Sequence, residues 1–189
     1  MRSRLILFCF LAVLLILGGA FVAGFFMPRQ WSVRTQTVVQ NSPAAVHPLV
    51  ATPRRWPEWF AWNKVKDPSI VYTFSGPESG VGASLTWTSE RLGTGTVTLT
   101  KSDPSTGVAY DLVISGFGEF PIRGEIDFKA ADGTTTVTVS EGGELGSSPI
   151  PRLFRGVMEG KLAHDLQNAL ERLKALSEGR TPPPEPPPL

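Results

Sequence analysis

One long amphipathic stretch near the C-terminus constrains this chain more than any other feature. After Pro149 and Pro151, the apolar residues Leu153, Phe154, Val157, Met158, Leu162, Leu166, Leu170 and Leu173 recur at three-to-four spacing, while Arg155, Glu159, Lys161, Asp165, Glu171 and Lys174 fill the other face. A helix with one apolar stripe has to bury it against a second layer. What precedes it is β-like: SIVYTFSG (69–76), GASLTWTS (82–89), TGTVTLTKS (94–102), GVAYDLVIS (107–115), PIRGEIDFKA (121–130) and GTTTVTVSE (133–141) are short runs rich in β-branched and aromatic residues. Gly76-Pro77, Gly80-Val81-Gly82, Gly93 and Asp132-Gly133 supply the turns between them. In the fifth run Ile122, Ile126 and Phe128 share one face, and Arg123, Glu125 and Asp127 share the other. Such alternation belongs to an antiparallel sheet covered on one side only.

Upstream, WSVRTQTVVQ (31–40) reads as one more strand. Asn41-Ser42-Pro43 then opens a short helix over about 44–50, with serine at the N-cap and proline in the first turn. Thr52-Pro53 repeats the signal and opens a second short helix carrying Trp56 and Trp59. The order is strand, two short helices, six strands, one long helix. The expected fold is therefore α+β: a curved seven-stranded antiparallel sheet wrapped around the C-terminal helix. One helix cannot fill such a sheet, so a cavity is expected between them, with the short helices as its plug.

At 189 residues there is room for one ordinary domain and some extra sequence. A net charge of +1 provides no basic stripe for phosphates, so no nucleic-acid partner is expected. The lone Cys9 and two histidines, His47 and His164, assemble no disulfide framework or metal site within one copy. The extra sequence lies at the ends. Arg2 and Arg4 precede residues 5–26, which hold no charge; as a helix this run spans about 33 Å, enough for a hydrocarbon core of about 30 Å. A cleaved signal peptide ending near Gly18-Gly19-Ala20 is the competing reading, but the apolar run continues through Phe25 and Phe26. Residues 1–28 are expected to be an uncleaved single-pass anchor with the N-terminus cytoplasmic and the domain outside, the alternative being a secreted or periplasmic domain after cleavage. The domain itself is expected over 31–178, as a monomer, followed by a proline-rich extended tail over 179–189.

Residues 56–62 read WPEWFAW, with three of the five tryptophans. The cluster fits the rim or wall of an apolar cavity, a seal in the core, or bilayer contact. The order of elements, together with MPRQWSVRTQTVVQNSPAAVHPLV, WPEWFAW, DPSIVYTFSGPESGVGASLTW and MEGKLAHDLQNALERLK, resembles the START/Bet v 1-like (SRPBCC) superfamily. Within it the chain is similar to membrane-anchored bacterial proteins labelled polyketide cyclase/dehydrase. That resemblance covers residues 1–178 and implies the helix-grip fold, with the tryptophan segment near the cavity mouth. It leaves function open, because ligand carriers, cyclases, hydrolase-type enzymes and chaperone regulators share the scaffold.

The expected ligand cavity takes Trp59, Trp62, Tyr72, Phe74, Leu85, Trp87, Tyr110 and Leu112, with Ile114 on the same face. From the long helix it takes Gly156, Val157 and Gly160, the glycines thinning the helix wall or permitting tight helix–sheet packing. Catalytic signals are sparse. His164 and Asp165 are helical neighbours and do not face each other. Of the strand carboxylates Asp111, Glu119, Glu125 and Asp127, a buried Asp111 is the one with a route to a raised pKa. No GxxxxGK[ST] or GxGxxG precedes a helix, so no phosphate cradle and no cofactor is expected. Three readings stand at this point: a membrane-anchored binding domain for a hydrophobic small molecule or lipid, a cyclase, dehydratase or hydrolase using a cavity carboxylate or histidine, and an envelope scaffold or chaperone-like partner.

Overall fold

In a computed structural model, which describes residues 2–115 and 119–184, seven strands form one antiparallel sheet. The side chains of residues 2–5, 7, 9, 119 and 120 lie outside the description, which leaves aside Arg2, Arg4, Cys9, the Glu119 carboxylate and the end of the proline-rich tail. The strands are β1 (Gln30–Val39), β2 (Val71–Ser75), β3 (Ser84–Ser89), β4 (Gly93–Asp103), β5 (Gly107–Ser115), β6 (Glu119–Ala131) and β7 (Thr134–Glu144). Their order is β1-β7-β6-β5-β4-β3-β2, so β2 to β7 form a meander and β1 adds beside β7. The Asp132-Gly133 turn joins β6 to β7 with both residues at positive φ (47° and 79°), as a two-residue hairpin requires.

The helices are α1 (Arg2–Phe26), α2 (Pro43–Ala51), a single 3₁₀ stretch (Pro53–Glu58), α3 (Pro149–Leu153) and α4 (Arg155–Ser177). The long C-terminal helix expected from the sequence is interrupted at Phe154, where two prolines in the preceding turn make a short separate helix. Among the described residues no helix is long and apolar enough to cross a membrane. The expected anchor thus rests on the charge-free run 5–26, several of whose side chains are not described.

Alternation places one residue of each strand in rows across the concave face. One row reads Phe74–Leu85–Val97–Leu112–Ile122–Gly143–Trp31, and the next Leu99–Tyr110–Gly124–Glu141–Val33. Two aromatic rings lie flat over glycines directly opposite them on the neighbouring strand: Trp87 over Gly95, and Tyr110 over Gly124. A Cβ at Gly124 would sit 2.1 Å from the Tyr110 ring, and one at Gly95 would sit 2.2 Å from Trp87. Both rings are fully buried and have nowhere to move. Gly124→Ala is therefore expected to cost about 1–3 kcal/mol by overpacking. Gly160→Ala is its counterpart: a Cβ there meets nothing, and the gain in helix propensity is about 1 kcal/mol. Urea midpoints of the two variants, shifted in opposite directions, check the pair.

α4 runs beside β1 in the same direction and occupies that open edge. Arg155 donates to the Gln30 carbonyl (3.1 Å), the Ser32 N–H donates to Glu159 (3.3 Å), the Thr37 hydroxyl to Glu171 (3.0 Å) and the Gln40 N–H to Glu178 (2.8 Å). An edge strand with unpaired backbone groups is a template for unwanted pairing, and these side chains occupy it. Leu166, Ala169, Leu170 and Leu173 turn from that edge into the core.

The connection from β1 to β2 has to cross the concave side from one sheet edge to the other. α2 and the 3₁₀ stretch make that crossing, and the tryptophans explain how it is held. Helix ends leave carbonyls without partners; the Trp56 indole N–H donates to Val50 (2.9 Å) and the Trp59 N–H to Leu49 (3.1 Å), both in the last turn of α2. The rings then stack inward: Trp56 meets Trp59 at 5.2 Å, Phe60 at 4.9 Å and Tyr110 edge-on at 5.1 Å. Of the readings open for WPEWFAW, the core seal describes Trp56 and Trp59, which have no exposed surface at all. Trp62 is only half-buried and stacks on Trp87 at 4.8 Å.

Candidate functional site

With the tryptophan plug filling the concave face, open space remains along the β1–β7–β6–β5 part of the sheet, bordered by residues of both its faces. A groove of about 960 Å³ lies where β1, β5, β6 and β7 meet the first turns of α4. Its floor is apolar but mostly buried, formed by Trp31 and Ile122, each 8% exposed, over the fully buried Leu112, with Gly143 between Trp31 and Ile122 in the same row. A Cβ at Gly143 would meet the Pro121 carbonyl at 2.8 Å and the Trp31 indole nitrogen at 3.1 Å, so a side chain there would press on both the strand beside it and the ring in the floor. The rim is polar and carries both signs of charge: Arg123 and Asp111, cross-strand neighbours on the outer face of the sheet, with Glu144, and Arg155 and Glu159 from α4. Arg155 and Glu159 pair loosely at 3.8 Å. An apolar floor under a charged rim suits an amphiphile with a greasy body and a polar end.

A second, smaller recess of about 240 Å³ opens beside β2, lined by Arg54, Phe74, Pro77 and Ser84. There the Arg54 guanidinium sits 4.5 Å above the Phe74 ring, so a cation already covers the aromatic face.

The residues expected around the cavity are distributed unevenly over these spaces. Leu112 is in the groove floor and Phe74 in the small recess. Trp59, Leu85, Trp87 and Tyr110 are buried in the packed core, while Trp62, Tyr72 and Ile114 lie half-buried against it. Tyr72 donates its hydroxyl to the Trp62 carbonyl (3.0 Å). Gly156, Val157 and Gly160 line neither recess; they are exposed, and no neighbour approaches either glycine. The close helix–sheet approach expected there is absent because the helix turns Met158, Leu162 and Leu166 inward instead. His164 is exposed; His47 bonds Ser102 through Nε2 (3.0 Å), and partial burial lowers its pKa against the opposing pull of Asp103.

Asp111 is exposed; among the described residues the buried carboxylates are Asp67, which accepts from the Ser69 and Arg91 backbone N–H groups (2.9 and 3.0 Å) and the Ser89 hydroxyl, and, on the inner face of the sheet, Glu141. It stands on β7 in the row directly behind the groove floor, facing Gly124 on one side and Val33 on the other. Its Oε1 accepts from the Tyr110 hydroxyl at 2.6 Å, and Oε2 has no hydrogen-bond partner among the described residues. Burial pushes the Glu141 carboxyl up to about 7, with the Tyr110 hydrogen bond pulling the other way. Burial and the adjacent carboxylate push the Tyr110 phenol well above its ordinary range. Neither group lines the groove. The signal for Glu141 was present in GTTTVTVSE: Val137, Val139 and Glu141 alternate, which places the acid on the valine face.

A family model described as polyketide cyclase / dehydrase and lipid transport matches residues 30–178. No curated protein matches the sequence. Among solved structures, Ara h 8.0201 superposes with a TM-score of 0.57 at 13% identity, covering 80% of this chain and 99% of its own. A protein from Chromobacterium violaceum superposes with a TM-score of 0.56 at 14% identity, over 80% and 99% of the two chains. DynU16, from the dynemicin biosynthetic locus, superposes with a TM-score of 0.55 at 20% identity, over 80% of this chain and 48% of its own. At these identities the likeness is one of fold.

Proposed function

The chain belongs to the polyketide cyclase / dehydrase and lipid transport family, within the SRPBCC superfamily, and from that premise we propose that it binds a hydrophobic small molecule or lipid in the groove between the sheet and the start of α4. The groove's apolar floor under a charged rim carries this reading. Its volume, about 960 Å³, is at the upper end of the roughly 300–1,000 Å³ typical of small-molecule sites, and so suits a ligand of lipid or polyketide size. Each Å² of apolar surface removed from water contributes about 25 cal/mol before ordering costs, which makes the floor the source of affinity and the rim the source of orientation. We further read α1 as a membrane anchor, supported by the charge-free run 5–26, with the domain on the extracytoplasmic side.

The binding reading is tested with delipidated protein and a lipophilic naphthylamine probe whose fluorescence rises on leaving water. Ile122→Trp, which places extra bulk over the floor, is expected to weaken probe binding about tenfold or more, equivalent to at least 1.4 kcal/mol. Unchanged probe affinity in that variant, with the wild-type melting temperature retained, would place the ligand elsewhere.

A further inference from the structure

The end of α1 does not stand apart from the domain. Gly24, two residues before the helix's last residue, is flush against α3: a Cβ there would lie 2.8 Å from the Pro149 carbonyl and 3.3 Å from Leu153. Arg152, itself buried, donates to the Phe25 carbonyl (3.3 Å) and to the Gly146 and Ser147 carbonyls (2.9 and 2.8 Å). One guanidinium therefore ties the last turn of α1 to the loop that leaves β7.

This contact sets a level. Gly24 and Phe25 lie within the charge-free run 5–26, and at about 1.5 Å per residue Gly24 is only about 3 Å short of its end. If that run occupies the bilayer, α3 is held at the boundary between acyl chains and headgroups. What α3 and the start of α4 present there is apolar. Ile150, Phe154 and Val157 follow spacings of four and three and are 53%, 63% and 74% exposed. In water such a stripe would be a liability, and Phe26, at the end of α1, is exposed as well. Lys161, one turn further along, ends the stripe with a long side chain able to reach headgroup phosphates.

We propose that Ile150, Phe154 and Val157 form a foot that inserts into the bilayer interface beside α1 and seats the groove mouth at the membrane surface. The proposal rests on the anchor reading of α1. Two chain connections set the groove's place relative to the foot. Gln30 on its rim is four residues beyond Phe26, at most about 14 Å away, and Arg155 on its rim directly follows Phe154. A lipophilic ligand would then pass between bilayer and groove without crossing bulk water.

The test uses the full chain in phosphatidylcholine/phosphatidylglycerol vesicles, with Cys9 replaced by serine and an environment-sensitive nitrobenzoxadiazole label at Phe154→Cys. Thr106→Cys, on the exposed β4–β5 turn, serves as the control. The expected result is flotation with the vesicles, a blue-shifted emission at position 154 and its loss when spin-labelled lipid is included, with position 106 unaffected by either. Flotation with a water-like, unquenched label at 154 would overturn the foot and leave the anchor standing. Failure to float would overturn the anchor reading and the foot with it.

Discussion

Replacing Trp56 by alanine is expected to remove about 3–5 kcal/mol of stability, the range for deleting a large aromatic side chain from a core that cannot collapse around the gap. Three losses coincide at this residue. The ring is fully buried against Trp59, Phe60 and Tyr110, its edge-on contact with Tyr110 disappears, and the Val50 carbonyl at the end of α2 loses its donor. Trp56→Phe separates the terms: most of the volume stays and the hydrogen bond goes, so a loss nearer 1 kcal/mol is expected, plus a smaller packing loss. Urea unfolding of the detergent-solubilised chain, followed by far-UV circular dichroism, measures both. A loss below about 1 kcal/mol for the alanine variant would contradict the role of Trp56 as the plug of the concave face.

The second large effect is a dependence on pH governed by Glu141. The carboxyl ionises at about 7 when folded and near 4.5 ordinarily, because burial penalises the charged form. Between those values the folded protein keeps a proton that the unfolded chain has released. The group's contribution is thus fully present below about 4.5 and is lost as pH rises to about 7. At about 1.36 kcal/mol per unit, the loss across that window is about 3 kcal/mol. Glu141→Gln cannot ionise and is expected to lack this slope while its amide oxygen still accepts from Tyr110. His47, whose pKa is lowered, acts with opposite sign near its ordinary value of 6.5, gaining stability as pH rises. Subtracting the Glu141→Gln profile from that of the wild type removes that contribution. Equal unfolding free energies at pH 5 and pH 8, after that subtraction, would mean that water reaches Glu141 in the folded state.

The same residue marks where reading the sequence stopped short. Asp111 is the one strand carboxylate with a route to a raised pKa, were it buried. Alternation assigns it outward, since Tyr110 and Leu112 point in, and the structure exposes it. Glu141 shares the inward face of Val137 and Val139, but it was the last residue of the expected strand, where burial cannot be told from fraying. Only the register, extending β7 to Glu144 beside β1 and β6, shows that the sheet continues past it on both sides.

Local chemistry determined the elements and their order. Seven β-like runs, two Pro-initiated short helices and one amphipathic helix all appear within a few residues of where period, turn glycines and prolines put them, because those signals act over a handful of neighbouring residues. With one helix to cover one sheet, they also implied a curved sheet and a remaining space. Where that space lies was decided by tertiary structure alone. Trp56, Trp59, Trp87 and Tyr110 carry the marks of a pocket wall, but the crossing of α2 over the concave face packs them solid and moves the opening toward Trp31, Ile122 and Gly143. The glycines of α4 likewise say only that a side chain is missing; whether sheet, ligand or solvent takes its place depends on how the helix is rotated. That rotation is set by contacts to β1 more than a hundred residues away in the chain, and no local pattern encodes them.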